Sequence, residues 1–524
     1  MRTILASSAL ALLGVGPLPA PPPARPPQIT VLPGALISAD DPTRQHVESW
    51  LATNPRDPLN LIAASMVLGE HDWVAAYASR DGGKTWIRAT HGAAAGKYFD
   101  GQDPAVTFDA EGNAYLSTAA PAFGVWKSTD GGRTWDEPAM VPGAGYDRPF
   151  VACDRSSRGT FHGRLYAVGK MPITVFGWPG RDVIAFSMSR DGGASFAFPR
   201  LLLPAPDKDL LNVVSDLLVT PEGRVILALE IVDAQPLDTP LLSGRYSIVT
   251  SDDGGHTFSE PRQVAVFHQY GHARESQSVK GLGGAKLALD ASPGPRRGTL
   301  YMVWLDAGDG HDQVMTAASP DGGATWSKPV RVNDNEGASN QSNPAIAVDG
   351  EGVVGVSWND RRADPTDLCY QPYFAASADG GASFSPNVEV SQDLTCPAGS
   401  HAEGTPLDSD YRYLNGGDTQ GIVGLPQGGF HLAWISGSAV QMQLWSTIVA
   451  VVTQPPAAPA LPAARPALTV AVGGRGVRQL ASIRGQVVPA CRRFRRRQRP
   501  PGKEQRRRHQ QQVQRAVEQE AGEE

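Results

Sequence analysis

The sequence is poor in the residues that build metal centres and in long apolar runs. Only 4 of its 524 residues are cysteines, and their spacing fits no zinc-binding pattern. We therefore predict no metal site and no cofactor. The net charge is −6, too small to favour a polyanionic partner such as nucleic acid. No apolar run is long enough to span a membrane.

The N-terminus has the features of an export signal. A single Arg2 is followed by an apolar stretch over residues 4–15 and by small residues up to Ala20. This order is typical of a signal peptide with a cleavage region at small residues. We predict a signal peptide over residues 1–20 and a secreted, periplasmic or cell-surface protein.

Glycine and proline are abundant, with 57 and 44 residues, which is typical of a turn-rich all-β chain. The pattern Ser-x-Asp-Gly-Gly-x-Thr/Ser-Trp/Phe occurs six times. Repetition on this scale predicts a repeat architecture. The copies occupy residues 79–86, 128–135, 189–196, 251–258, 319–326 and 377–384.

Each copy predicts a β-hairpin turn. The carboxylate can accept hydrogen bonds from its own turn, and the glycines allow positive φ. The final aromatic residue supplies an apolar anchor. We therefore interpret the six aspartates as structural: Asp81, Asp130, Asp191, Asp253, Asp321 and Asp379.

A second motif, exemplified by residues 103–109, runs from a polar residue and a proline through apolar alternation to an aspartate. Strand modules with this character begin near Leu59, Asp103, Asp147, Asn212, Gly283 and Asn343. A further module from Gly417 to Trp445 has strands but no copy of the repeat. Seven modules favour seven blades over six, and we expect residues 28–31 to add the edge strand that closes a ring.

The repeat resembles the Asp-box of the sialidase (BNR-repeat) superfamily, whose members include secreted bacterial exo-sialidases. The resemblance covers residues 28–452. It implies an all-β fold, a β-propeller of four-stranded antiparallel blades in which each box joins the third and fourth strands. It also implies a glycan or glycoconjugate as partner, and we expect a monomer.

The resemblance further implies a site away from the repeats. In that family three arginines hold the substrate carboxylate, a tyrosine assisted by a glutamate is the nucleophile, and an aspartate is the acid/base. By position we assign Tyr413, Glu275 and Asp103 to the last three roles. The substrate-binding candidates are Arg148, Asp360, Arg361, Arg362 and Arg412.

The order of these residues departs from the family pattern. Arg148-Pro149 follows the second repeat, whereas the family's arginine–proline pair precedes the first. Two alternatives to a glycoside hydrolase therefore stay open, because a fold alone does not carry a chemistry. One is a non-catalytic propeller that binds a glycan or a protein, and the other is a structural module of the cell surface.

The composition changes after the last strand module. Residues 454–467 form a Pro/Ala linker, and residues 468–524 form an Arg/Gln-rich tail that we expect to be mostly disordered. Cys369 and Cys396 flank the sixth repeat and could form a disulfide after export. We expect Cys153 to be a small buried residue.

Overall fold

The computed structural model describes residues 26–69, 71–119, 122–157, 159–172, 182–202, 210–233, 241–270, 284–367, 369–396, 416–438 and 441–453. The predicted signal peptide, linker and tail lie outside these ranges. The described chain is all-β and contains no helix, and so none that is long and apolar enough to cross a membrane.

The strands follow one another along the whole described chain. They are β1 (Gln28–Val31), β2 (Ala35–Leu36), β3 (His46–Asn54), β4 (Asp57–Val67), β5 (Trp73–Ser79), β6 (Ile87–Arg88), β7 (Thr90–His91), β8 (Phe99–Asp100), β9 (Gln102–Phe108), β10 (Ala114–Ala119), β11 (Phe123–Ser128), β12 (Thr134–Trp135), β13 (Ala139–Val141), β14 (Asp147–Cys153), β15 (Leu165–Pro172), β16 (Asp182–Ser189), β17 (Arg200–Leu202), β18 (Leu210–Val219), β19 (Val225–Asp233), β20 (Leu241–Ser251), β21 (Arg262–Tyr270), β22 (Lys286–Leu289), β23 (Leu300–Asp306), β24 (Gln313–Ser319), β25 (Val330–Arg331), β26 (Gln341–Val348), β27 (Val354–Asp360), β28 (Gln371–Ser377), β29 (Val388–Glu389), β30 (Gly421–Gly424), β31 (Phe430–Ser438) and β32 (Gln441–Val452).

The described strands form seven four-stranded antiparallel blades. Blades 1 to 6 are β3-β4-β5-β6, β9-β10-β11-β13, β14 to β17, β18 to β21, β22 to β25 and β26 to β29, and blade 7 is β30-β31-β32-β1. The first strand of each blade contacts the first strand of the next, and β30 of blade 7 contacts β3 of blade 1. The fold is therefore a seven-bladed β-propeller with its inner strands around the axis, as the sequence predicted.

The ring closes through the N-terminal strand. β1 pairs with β32, with Gln28 opposite Val452 and Val31 opposite Val449. The outer strand of blade 7 therefore comes from the start of the propeller chain and the other three from its end. The prediction that residues 28–31 close the ring is confirmed.

Seven apolar layers hold the ring together, one between each pair of neighbouring blades. Strand β4 shows the cause. Leu61 and Ala63 pack against residues of blade 7, whereas Ile62 and Ala64 pack against residues of blade 2. Successive side chains of a strand point to opposite faces, so one apolar strand serves two layers.

The six repeats form the turns between third and fourth strands of blades 1 to 6. In the first copy, Ser79 Oγ donates to Asp81 Oδ1 (2.9 Å) and the Gly83 N–H donates to Ser79 Oγ (2.8 Å). Thr85 Oγ1 donates to Asp81 Oδ2 (2.6 Å). The other five copies repeat these bonds. The hairpin prediction holds for all six.

In the first two repeats, close packing against the neighbouring blade is a further reason for the second glycine. Gly83 has φ of 84°, and a Cβ there would collide with the His431 ring of blade 7. A Cβ at Gly132 would lie 2.6 Å from the side chain of Ile62 in blade 1. Each of these turns therefore also abuts the preceding blade, which only glycine permits.

Blade 1 begins earlier than the sequence suggested. Its inner strand is β3 (His46–Asn54), and the segment from Leu59 belongs to the second strand, so the module start near Leu59 was wrong. The cause is local: Glu48 precedes Ser49 instead of the proline that marks other inner strands. In blade 6, Cys369 and Cys396 form a disulfide, and Cys153 is buried as a free thiol.

Candidate functional site

Several inner strands bend at the same point, near the face of the ring where they begin. We call this the upper face; the repeat turns lie at the opposite, lower face, since they follow the third strand of each blade. Glu48, Asp103, Arg148 and Asn343 each have a positive φ between 52° and 57°. The strand pairing of each slips at or beside this residue, as in a β-bulge.

A left-handed backbone is rare for glutamate and arginine, since their Cβ crowds the following carbonyl. Such strain clusters where side chains are held for function. The bulges at Glu48 and Arg148 turn residues of the inner strands towards a common space. They therefore mark the upper end of the axis as the candidate site.

A cavity of about 260 Å³ occupies this place. Its lining comes from blades 1, 2, 3, 5 and 7, which only the axis of the ring brings together. The lining residues are Glu48, Trp50, Asp103, Pro104, Ala105, Asp147, Arg148, Pro149, Phe150, Lys170, Gly284, Lys286, Asp418 and Thr419.

Three carboxyl groups meet on one side of the cavity. Asp103 lies within hydrogen-bond reach of both Glu48 and Asp147, and its Oδ2 accepts the Arg148 backbone N–H (3.1 Å). Burial, reinforced by the charge of Asp147, raises the pKa of Asp103 to about 6. Near pH 5 this carboxyl therefore holds a proton.

Asp147 behaves in the opposite way. Burial would raise the pKa of its carboxyl, but the Lys170 ammonium, 2.6 Å from Asp147 Oδ2, outweighs it. The pKa of Asp147 falls to about 2. One carboxyl of the cluster thus keeps a proton in weak acid while its neighbour is ionised.

Arg148 and Lys286 contribute positive charge to the lining of the cavity. Arg148 Nη2 is 3.1 Å from Asp418 Oδ2. Lys286 Nζ donates to the Ser215 carbonyl (3.1 Å) and lies 5.1 Å and 4.9 Å from the ring centres of Trp50 and Phe150. Burial lowers the pKa of Lys286 to about 8.

Some polar atoms around the cavity have no hydrogen-bond partner within the protein. They are Asp418 Oδ1, Thr419 Oγ1 and Ser215 Oγ, all buried. A buried polar group without a partner is costly. Ser215 Oγ lies behind Gly284, where a Cβ would come within 2.9 Å of it and 3.3 Å of Arg148 Nη1.

The predicted site residues are placed unevenly. Asp103 and Arg148 line the cavity, but Asp360, Arg361 and Arg362 do not. Glu275, Arg412 and Tyr413 lie outside the described residues, so their roles stay predictions.

The blade 6 arginines are held within their own blade. Arg362 forms a bidentate pair with Asp360 (2.9 and 2.7 Å) and contacts Asp334 (2.7 Å). Its guanidinium stacks on Tyr373. Arg361 is 1% exposed and donates to Ser342 Oγ (3.2 Å). The structure therefore does not bring these two arginines to the cavity with Arg148, and their role as substrate ligands stays a prediction.

Sequence reasoning missed Glu48, Lys170 and Lys286. One signal could have found the last. Asp103 and Arg148 each stand six residues before the aspartate that ends their motif, and Gly284 stands six before Asp290. Aligning the repeats on that aspartate places Lys286 at the axis. Among the described residues no group of three or more His, Cys, Asp or Glu side chains is arranged to hold a metal ion.

No protein-family profile and no curated protein sequence matches this chain. Similar solved structures include a protein of unknown function from Dyadobacter fermentans (15% identity, 81% of this chain and 99% of that one, TM-score 0.46). A Hadza microbial sialidase (15% identity, 80% and 68%, TM-score 0.42) and an α-L-arabinofuranosidase from Fusarium graminearum (12% identity, 81% and 98%, TM-score 0.43) are also similar. Likenesses this distant carry no argument about activity.

Proposed function

We propose that the protein is a carbohydrate-active enzyme that hydrolyses glycosidic bonds in the upper-face cavity, with Asp103 as general acid. One observation carries the proposal: neighbouring carboxyl groups whose environments drive their pKa values to about 6 and about 2. A pair of carboxyl groups whose pKa values are pushed apart in this way can supply a general acid and an ionised partner to an enzyme.

The chemistry follows from the two protonation states. At about pH 5 the Asp103 carboxyl donates its proton to the glycosidic oxygen as the bond to the anomeric carbon breaks. Positive charge then develops on the sugar ring, and water adds to the anomeric carbon as it returns a proton to the Asp103 carboxylate. The ionised Asp147 lies beside Asp103 and stabilises that charge electrostatically. Arg148 is fixed by Asp418 and orients the sugar by hydrogen bonds.

An exo-glycosidase of the sialidase type, exported from the cell, is the specific form of this proposal that the repeats suggest. The predicted pair of Tyr413 and Glu275 would then supply the nucleophile.

A non-catalytic glycan-binding propeller is the second candidate. The unpartnered oxygens of Asp418 and Thr419 favour it, because they suit hydroxyl recognition without any proton transfer. The two candidates differ in turnover, since only an enzyme releases the aglycone.

The test is a panel of fluorogenic glycosides at pH 5, including an α-sialoside and an α-L-arabinofuranoside. We expect release from at least one, and a loss of about 100-fold or more in kcat/KM for Asp103→Asn, the size of a general-acid contribution. Asp130→Asn, at the lower face, is the matched carboxylate control and should retain the wild-type rate. Release by Asp103→Asn at the wild-type rate would refute the role of Asp103. If no glycoside is released but one is bound, the non-catalytic candidate is correct.

A further inference from the structure

Each positively charged side chain of the cavity already has partners within the protein. Arg148 pairs with Asp418 at 3.1 Å and Lys170 pairs with Asp147 at 2.6 Å. The third cation, Lys286, is 9% exposed. It donates to the Ser215 carbonyl and lies over Trp50 and Phe150.

Carboxyl groups outnumber cations in the lining of the cavity. Glu48 and Asp103 line it together with Asp147 and Asp418, and of these Asp103 holds a proton near pH 5. Glu230 is buried nearby and acts electrostatically on Arg148. An anionic ligand would therefore meet a cluster of carboxyl groups together with cations that are each engaged.

A ligand carboxylate that binds both Nη atoms of Arg148 would have to compete with Asp418, which accepts from Nη2. The Asp418 side chain is 18% exposed, so displacing it from the guanidinium would leave a mostly buried carboxylate unpaired. Removing one partner of a buried ion pair is strongly unfavourable. The geometry thus resists the bidentate arginine–carboxylate contact by which acidic sugars are usually held.

An uncharged sugar has no such difficulty. Asp418 Oδ1 and Thr419 Oγ1 are buried and have no partner in the protein. After a small rotation of the Asp418 side chain that opens Oδ1 to the cavity, a sugar hydroxyl can donate to Oδ1 while Oδ2 keeps its contact with Arg148. A second hydroxyl can exchange a hydrogen bond with Thr419. Binding would then satisfy polar atoms that the protein leaves unsatisfied.

We propose that the cavity takes an uncharged, hydroxyl-rich sugar, and that Asp418 is the specificity-determining residue that excludes acidic sugars by engaging Arg148. This inference rests on the proposed function for its glycan ligand. It goes beyond that function by naming the class of sugar and the residue that selects it, and it excludes the sialidase-type form, whose substrate is an acidic sugar.

The test compares sugars that differ only in a carboxylate. Fluorogenic glucosides and galactosides are paired with the corresponding glucuronides and galacturonides, and an α-sialoside is added. The same free sugars, including N-acetylneuraminic acid, are titrated calorimetrically. We expect the wild-type protein to prefer the neutral member of each pair at least 10-fold, in kcat/KM or in Kd.

The variant Asp418→Asn keeps the side-chain shape and removes the charge that neutralises Arg148. We expect it to shift the acidic-to-neutral ratio by at least 10-fold towards the acidic member. The matched control is Asp334→Asn. Asp334 Oδ1 lies 2.7 Å from Arg362 Nη1, and neither residue lines the cavity. The control should leave the ratio unchanged.

The possible outcomes distinguish a failure of this inference from a failure of the proposed function. Hydrolysis with a preference for acidic sugars overturns the inference and leaves the proposed function standing. Selective binding of neutral sugars without hydrolysis supports the inference and refutes the proposed enzymatic activity. An unchanged ratio in a folded Asp418→Asn protein overturns the role of Asp418. If Asp418→Asn does not fold, the wild-type preference alone decides the class of sugar. Absence of both binding and turnover overturns both proposals.

Discussion

Replacing Asp103 by asparagine should make the stability of the propeller respond differently to pH. The pKa of Asp103 is raised from 3.8 to about 6 in the folded protein, so the folded state binds this proton more tightly than the unfolded state does. The stabilisation is fully present below about pH 4 and is lost as the pH rises through about 6. Asparagine has no such titration.

The size of the effect follows from the shift. About two pKa units at 1.36 kcal/mol per unit correspond to about 3 kcal/mol, shared in part with Glu48 and Asp147 because the three groups interact. The free energy of unfolding of Asp103→Asn relative to wild type should therefore increase by up to about 3 kcal/mol between pH 4 and pH 7.

Chemical denaturation at the two pH values, followed by tryptophan fluorescence, measures this difference directly. Any pH-independent cost of the substitution, such as a weaker bond to the Arg148 N–H, cancels in the comparison. For Asp130→Asn, in a lower-face turn, the free energy of unfolding relative to wild type should not increase between pH 4 and pH 7. A relative stability of Asp103→Asn that is equal at both pH values, or lower at pH 7, would refute a raised pKa at Asp103.

Three further predictions concern the frame of the propeller. Asp130→Ala removes the acceptor of the hydrogen bonds from Ser128 and Thr134. It should lower the free energy of unfolding by about 1–3 kcal/mol without changing kcat/KM for a glycoside, which denaturation and kinetics check together. Reducing the Cys369–Cys396 disulfide, which closes a loop of 27 residues, should cost about 2–4 kcal/mol; a Tm unchanged by reductant would contradict this. Deleting residues 1–33 removes β1 and exposes the edge of β32, so we expect a lower Tm and aggregation in size-exclusion chromatography.

The fold could be predicted because its signals are local. The hydrogen bonds that link Ser79, Asp81 and Thr85 lie within one turn, so the sequence of that turn is enough to identify it. Blade 7 has no such turn, and its strand pattern alone predicted it. The start of blade 1 was misplaced because Glu48 adopts the bulge without a following proline.

The site could be predicted only in part because it depends on register and closure. Asp103 and Arg148 share the proline motif, were named as candidates from the sequence, and both line the cavity. Lys286 reaches the same cavity from β22, and a shift of one residue in that strand would turn its side chain away. Asp418 reaches the cavity from the segment before β30. Sequence could not show that Asp360 holds Arg362 and that the blade interior encloses Arg361, so the predicted role of these arginines in substrate binding stays a prediction.

The pH dependence of kcat/KM on a glycoside that the protein hydrolyses tests the central claim most directly. If the Asp103 carboxyl is the proton donor, the rate should fall as the pH rises through about 6, where that carboxyl ionises. Asp103→Asn should lack this fall in rate above about pH 6 and keep only a low residual rate. A wild-type kcat/KM that stays level from pH 4.5 to pH 7.5 would contradict the assignment of Asp103 as the acid. The same fall in kcat/KM through about pH 6 in Asp103→Asn would also contradict it.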